Sequence, residues 1–203
     1  MKRIIILTLS LLLSSFSYSA IALDQQANLT KTYTGFSPLT DGPRVQTFTA
    51  GASGTLDSIA LALWRYPSLQ IGTYSVLLKS GHHPDQGAIL FSAIYPMLNI
   101  TNIHENPSPE AYTHVDVSQA NITVDKGDTF SIFVNADYSP LRFVLSISTG
   151  TGYIGGNAFY YNYYKEEWIP IQPNNPTSTF GFETYINTTP ESISIQPGYV
   201  GWP

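Results

Sequence analysis

The 203 residues include no cysteine. That removes disulfide staples, thiol nucleophiles, thiolate metal sites and a lipid anchor on cysteine together. Charge is also scarce: 11% of the residues are Asp, Glu, Lys or Arg, with fourteen acids against nine bases and a formal net charge of −5. Past the first three residues the bases stand singly, at Lys31, Arg44, Arg65, Lys79, Lys126, Arg142 and Lys165. A polyanion partner needs Lys and Arg collected on one face, so no nucleic acid is expected, and an anionic membrane surface is disfavoured for the same reason. Beyond the N-terminus no apolar run approaches the ~18 residues of a spanning helix, so no membrane span is expected.

What is present begins with a secretory leader. Lys2 and Arg3 precede a largely apolar stretch over residues 4–13, and small residues end it at Ala20-Ile21-Ala22. Ten residues reach only ~15 Å as a helix, half a bilayer core, which is the length of a signal peptide and not of an anchor. Residues 1–22 are therefore read as a signal peptide cut after Ala22, and the product as secreted or periplasmic. Its Lys-Arg start and short Ile/Leu core have a bacterial style. Loss of Lys2 and Arg3 takes the formal charge to about −7. The remaining ~181 residues suit one domain that buries roughly 70% of its unfolded surface.

The mature chain alternates short apolar runs with Gly, Pro, Asn, Asp and Ser at spacings of about 8 to 15 residues, the pattern of an all-β fold. Strands are predicted at 45–49, 55–64, 72–79, 89–95, 111–117, 129–135, 142–148, 158–164, 168–171 and 179–186. Period-two patterning is clearest for Ile59, Leu61 and Leu63, for Phe130, Ile132 and Val134, and for Phe180, Phe182 and Thr184. Residues 56–64 also admit a helix, because Ile59 and Leu63 lie four apart, but the run is short and lacks a stop signal. The expected organisation is an N-terminal segment 23–43, a β-sandwich domain 44–186 and a C-terminal tail 187–203. The stretches 23–33 and 187–203 are read as the mobile ends.

Three pieces, Val45-Gln46-Thr47-Phe48-Thr49-Ala50, Gly54-Thr55-Leu56-Asp57-Ser58-Ile59 and Gly72-Thr73-Tyr74-Ser75-Val76, follow one another in this order. Later come Val124-Asp125-Lys126-Gly127-Asp128, residues 153–160, and Phe180-Gly181-Phe182-Glu183-Thr184-Tyr185-Ile186. In that succession, over roughly residues 44–186, the chain resembles exported bacterial β-sandwich accessory modules of the jelly-roll or galactose-binding-like kind. The resemblance implies an antiparallel β-sandwich of jelly-roll type and carries over no catalytic residue.

The sharpest local anomaly is aromatic density: Tyr153, Phe159, Tyr160, Tyr161, Tyr163, Tyr164 and Trp168, with Gly155-Gly156 near its start. On a strand, Phe159, Tyr161 and Tyr163 share one face and Tyr160 and Tyr164 the other, so some rings must face away from the core. Such rings offer a flat apolar face with a hydrogen-bonding edge, which suits a sugar ring, although ordinary sheet-face packing accounts for tyrosines as well. A second aromatic pair with a guanidinium lies at Trp64, Arg65 and Tyr66. The candidate ligand-binding residues are thus Trp64, Arg65, Tyr66, Tyr153, Asn157, Tyr160, Tyr164 and Trp168.

Metal and catalytic readings are weaker. His82 and His83 in Gly81-His82-His83-Pro84-Asp85 point to opposite sides of an extended chain, and His104 and His114 have no spacing that joins them. Asp125, Asp128, Asp137 and Asn135 are oxygen donors of the kind calcium takes, but no EF-hand or nonapeptide spacing occurs, so no cofactor is predicted. Glu166 and Glu167 are adjacent and diverge on a strand, unlike a glycosidase pair. Neither Gly-x-Ser-x-Gly nor His-Glu-x-x-His is present.

The expectation is therefore a non-catalytic secreted protein that binds carbohydrate or a glycan-bearing surface. The alternative is a structural or protein-interaction subunit of an extracellular assembly. Its partner contact would be the tail, where Ser192-Ile193-Ser194-Ile195 alternates like a strand. A hydrolase is the remaining reading.

Overall fold

A computed structural model describes residues 20–27, 34–38, 42–64, 71–100, 112–136, 142–147, 153–171 and 178–188. Residues 1–19, Arg65, Tyr66, Asp137 and the tail segment Ser192-Ile193-Ser194-Ile195 lie outside them. Among the described residues fifteen strands are formed: β1 Ala20–Ala27, β2 Thr34–Pro38, β3 Arg44–Thr49, β4 Gly54–Leu61, β5 Leu63–Trp64, β6 Thr73–Ser80, β7 Ile89–Pro96 and β8 Thr113–Asp116. Then come β9 Thr123–Val124, β10 Thr129–Ala136, β11 Arg142–Ile147, β12 Ala158–Asn162, β13 Glu167–Pro170, β14 Ser178–Phe180 and β15 Phe182–Thr188. Every pairing is antiparallel.

The largest sheet has six strands in the order β13-β12-β3-β10-β6-β7. Facing it is the path β1-β15-β4-β8, with β9 also on β4; a smaller sheet, β14-β11-β2 with β5 on β11, completes the set. Pro96 and Pro170 fall in β7 and β13, the two edges of the large sheet, where a missing N–H breaks no ladder.

The period-two patterns read from the sequence are the inner faces. Phe130, Ile132 and Val134 of β10 and Val76 and Leu78 of β6 pack with Ile59, Leu61, Val115 and Phe182 in one core. Phe48 stacks on Phe130 at 5.1 Å and reaches across to Phe182 at 6.0 Å. This is an antiparallel β-sandwich, as the patterning requires. The stretch 56–64 is strand and not helix, and both of its faces are buried. Ile59, Leu61 and Leu63 enter the main core, while Ala60, Ala62 and Trp64 form a second cluster with Tyr112. The register of β4 on β15 slips between Ser58 and Leu56, a bulge at Asp57 that brings Leu56 back to the inner face.

One expectation is corrected. Residues 23–27, read as part of a mobile end, pair in β1 with residues 182–185 of β15, and Asn187 and Thr188 extend β15. The polar sequence Asp24-Gln25-Gln26 hid this strand, because its order comes from partners and not from an apolar face. The register of β1 shifts between Leu23 and Gln25, and there Asp24 turns to accept the Gly51 N–H at 2.9 Å. Burial holds the Asp24 carboxyl above the usual range, against the Gly51 hydrogen bond that pulls it down.

Strand β3 carries polar side chains into the sandwich. Gln46 is fully buried, and its Oε1 accepts the Phe180 N–H at 2.8 Å while its Nε2 donates to the Thr47 carbonyl at 2.8 Å. One amide thereby ties the large sheet to the segment β14-β15. Gln46→Leu keeps the volume and removes the acceptor of a buried amide, so it is expected to cost about 1–3 kcal/mol. The check is a lower urea midpoint at unchanged slope; an unmoved midpoint would show that the link is dispensable.

Candidate functional site

Strand β12 lies between β3 and the edge strand β13, pairing Tyr160 with Arg44 on one side and with Ile169 on the other. The strand stops at Asn162, earlier than the patterning predicts, because Asn162 makes its own turn. Its Oδ1 accepts the N–H groups of Tyr164 at 3.0 Å and Lys165 at 3.1 Å. Glu166, with φ +54°, completes the reversal into β13. Tyr163 and Tyr164 therefore sit on a fixed hairpin tip and not on a sheet face.

At that tip an open groove of about 450 Å³ is lined by Arg44, Tyr160, Tyr161, Asn162, Tyr163, Tyr164 and Ile171. Its size falls in the range of small-molecule sites, about 300–1,000 Å³. Tyr163 is 61% exposed and Tyr164 wholly so, whereas Arg44 is 4% exposed. The Arg44 Nη1 donates to the Gly42 carbonyl at 2.8 Å and to the Pro43 carbonyl at 3.3 Å, and the guanidinium lies 5.8 Å from the centroid of the Tyr160 ring. Gly42 has φ +107°, and a methyl there would meet the Tyr163 ring at 2.6 Å. The turn before β3 thus has to be glycine for the ring to close one wall.

A row of rings continues from the groove. Tyr161 meets Tyr163 at 5.1 Å and Trp168 at 5.2 Å, and Trp168 meets Phe133 at 5.6 Å, with interplanar angles of 80°, 66° and 81°. Lys79 Nζ closes the row 5.4 Å from the Phe133 centroid. Edge-to-face contacts of this kind hold rings rigidly but give no coplanar platform. The row and the groove meet at Tyr161 and Tyr163.

The candidates named from sequence part company here. Tyr160 and Tyr164 line the groove, and Trp168 stands in the adjoining row. Trp64 is 9% exposed and belongs to the second cluster with Ala60, Ala62 and Tyr112. Tyr153 turns inward, edge-on to Phe182 at 5.2 Å, and its hydroxyl accepts the Thr49 N–H at 3.1 Å. Burial raises the Tyr153 hydroxyl pKa, against that hydrogen bond. Asn157 serves the ladder through its backbone, which exchanges hydrogen bonds with Thr47, and its neighbour Gly156 lies so close to the Thr47 carbonyl that no side chain fits. The groove also holds Arg44, Tyr161, Asn162, Tyr163 and Ile171, which were not among the candidates selected from the sequence. The available signals were Gly42-Pro43 before a strand-initial arginine, and an Asn two residues before Tyr164.

No family model matches the chain, and no curated protein matches it. The site must be judged on its own chemistry. Glu166 and Glu167 are exposed on the hairpin, and Glu167 faces Lys165 at 3.7 Å. His83 faces Asp85 at 3.6 Å and packs edge-on to Phe159, while His82 is exposed. Asp128 Oδ2 accepts the Asp125 N–H at 2.9 Å within its own turn. Among the described residues no three His, Cys, Asp or Glu side chains converge to hold a metal ion, and none of their helices is long and apolar enough to cross a membrane.

Against the second cluster lies Tyr185, whose hydroxyl donates to Glu183 Oε2 at 2.6 Å. That bond, with burial, pushes the Tyr185 pKa up to about 12; burial does the same for Tyr74, also to about 12. Between the ordinary value of 10 and about 12 the folded chain keeps protons that the unfolded chain gives up. Stability is then complete below about pH 10 and is lost as the pH rises through about 12. Denaturation midpoints across that interval should fall, and Tyr185→Phe should remove one late tyrosinate from the ultraviolet titration and part of the slope; a flat profile would contradict the assignment.

Proposed function

We propose that this is an exported, non-catalytic β-sandwich protein that binds carbohydrate or a glycan-bearing surface through the groove at the β12–β13 hairpin. The observation that carries the reading is the convergence of Tyr160, Tyr163 and Tyr164 with Arg44 on one open concavity. Holding a tyrosine wholly in water forgoes the burial its ring would otherwise gain, about 1.5–3 kcal/mol for a large side chain. A fixed turn that does so at Tyr164, and leaves Tyr163 61% exposed beside it, has an outward task. Tyrosine rings stack on the apolar face of a sugar, and hydroxyl, amide and guanidinium groups in the same wall satisfy its hydroxyls. The non-coplanar ring row favours a single saccharide chain or terminus over a flat crystalline polysaccharide. The leader sequence supports export.

Glycan-array and calorimetric titration of the mature protein test this. Tyr160→Ala with Tyr164→Ala should weaken binding at least tenfold, the effect of about 1.4 kcal/mol, with the circular dichroism spectrum retained. A wild-type protein that binds no glycan at millimolar concentration would overturn the proposal.

The second reading, a protein-interaction subunit, draws support from β7. This eight-residue edge strand has no charged residue and exposes Ile89 and Ile94, at 63% and 69%. Charge is the usual guard of such an edge. If a partner strand adds there, Ile94→Lys should abolish association in light scattering or pull-down and leave glycan binding intact. A monomeric wild-type protein that captures nothing would remove this reading.

A further inference from the structure

Resting on the export reading, we propose that the leader is cut between Ser19 and Ala20, and that Ala20, Ile21 and Ala22 stay in the exported protein as the first rungs of β1. The chain offers two places for the cut. A signal peptidase reads small side chains one and three residues before the scissile bond, and both Ser17-Tyr18-Ser19 and Ala20-Ile21-Ala22 supply them. The two cuts differ in what they leave of the first strand.

Strand β1 carries the downstream bond in its interior. Ala20 pairs with Thr188, Ile21 with Asn187, Ala22 with Ile186 and Leu23 with Tyr185, so the bond between Ala22 and Leu23 joins two residues of one ladder. A cut there removes three of the seven paired positions and takes the partner from Ile186, Asn187 and Thr188, the last three residues of β15. It also removes the Ala20 carbonyl, to which the Thr188 hydroxyl donates at 3.4 Å. The remnant, residues 23–27, would begin on a charged amine at Leu23, inside the ladder. A cut after Ser19 leaves β1 whole and puts the new amine at Ala20, which is exposed at the end of the strand.

Position along the chain agrees. The bond after Ser19 is the nearer of the two to the apolar run over residues 4–13, which the cleavage site of a leader follows. Proteolysis also needs a segment freed from its neighbours. Once β1 has paired, beside the Asp24 carboxylate that accepts the Gly51 N–H and the Gln25 N–H that donates to Thr184 Oγ1 at 3.2 Å, the bond after Ala22 must be pulled out of the sheet. The bond after Ser19 lies outside the seven paired positions.

The test is the first residue of the protein exported by a bacterial host that makes the chain with its leader, read by N-terminal sequencing and intact mass. Ala20 is expected. Leu23 overturns this inference and leaves the export reading standing, whereas a chain that keeps its leader and stays in the cytoplasm overturns both. Two variants check the cause. Ala22→Tyr sets a bulky ring just before the downstream bond, at an exposed strand position, and should leave the first residue and the exported yield unchanged. Ser19→Tyr sets the same ring before the upstream bond and should abolish chains that begin at Ala20. The reverse pattern, export blocked by Ala22→Tyr and unaffected by Ser19→Tyr, overturns the assignment; the wild-type first residue decides even if a variant fails to fold.

Discussion

Strand β3 turns Arg44, Gln46 and Phe48 toward the same face, and that face looks into the sandwich. The register that seats Phe48 against Phe130 and Phe182 therefore forces two long polar side chains indoors. A one-residue slip would relieve them and would expel Phe48, so the alternation of the pleat fixes all three together. Gln46 is satisfied by bonding to the Phe180 amide, which joins the large sheet to β14. Arg44 donates to the carbonyls of its own approach turn, at the end of the strand where the core gives way to the groove.

The groove is a by-product of that end. Strand β12 borrows its order from β3, stops at the Asn162 turn and leaves Tyr163 and Tyr164 beyond the sheet. Beyond the start of β12 the ladder on β3 continues through Asn157, with Gly156 pressed on the Thr47 carbonyl. The opposite surface of the facing sheet is closed by Trp64, Tyr112 and Tyr185. Aromatic residues thus divide by position: those at mid-strand and in Tyr153 complete packing, and those on the hairpin tip are left to water.

Much of the fold was legible because burial leaves a mark with a period of two. The alternations at 59–63, 130–134 and 180–184 are inner faces, and eight of the ten predicted strands are strands with ends displaced by a few residues, while 55–64 divides into β4 and β5 and 179–186 into β14 and β15, the halves of each lying in different sheets. Strands without an apolar face were invisible. β1 carries Asp24-Gln25-Gln26 and is ordered by pairing with β15, a partner far along the chain. The candidate site was legible as an aromatic excess over residues 153–168, but not as a list. Trp64 and Tyr153 have the same composition signal as Tyr160 and Tyr164, yet fold inward, and Arg44 resembled any lone surface charge.

The sequence by itself determined the class of structure: alternating apolar residues with turn chemistry between them can bury their faces only as packed antiparallel sheets, and the absence of cysteine left that burial as the means of stability. Tertiary structure decided which rings meet water and which cation joins them. Side-chain alternation says that two neighbours face opposite ways, but which way is inward depends on register with strands distant in sequence. The pairing of Tyr160 with Arg44 is such a register contact, and it exists only once β3 has been placed between β10 and β12.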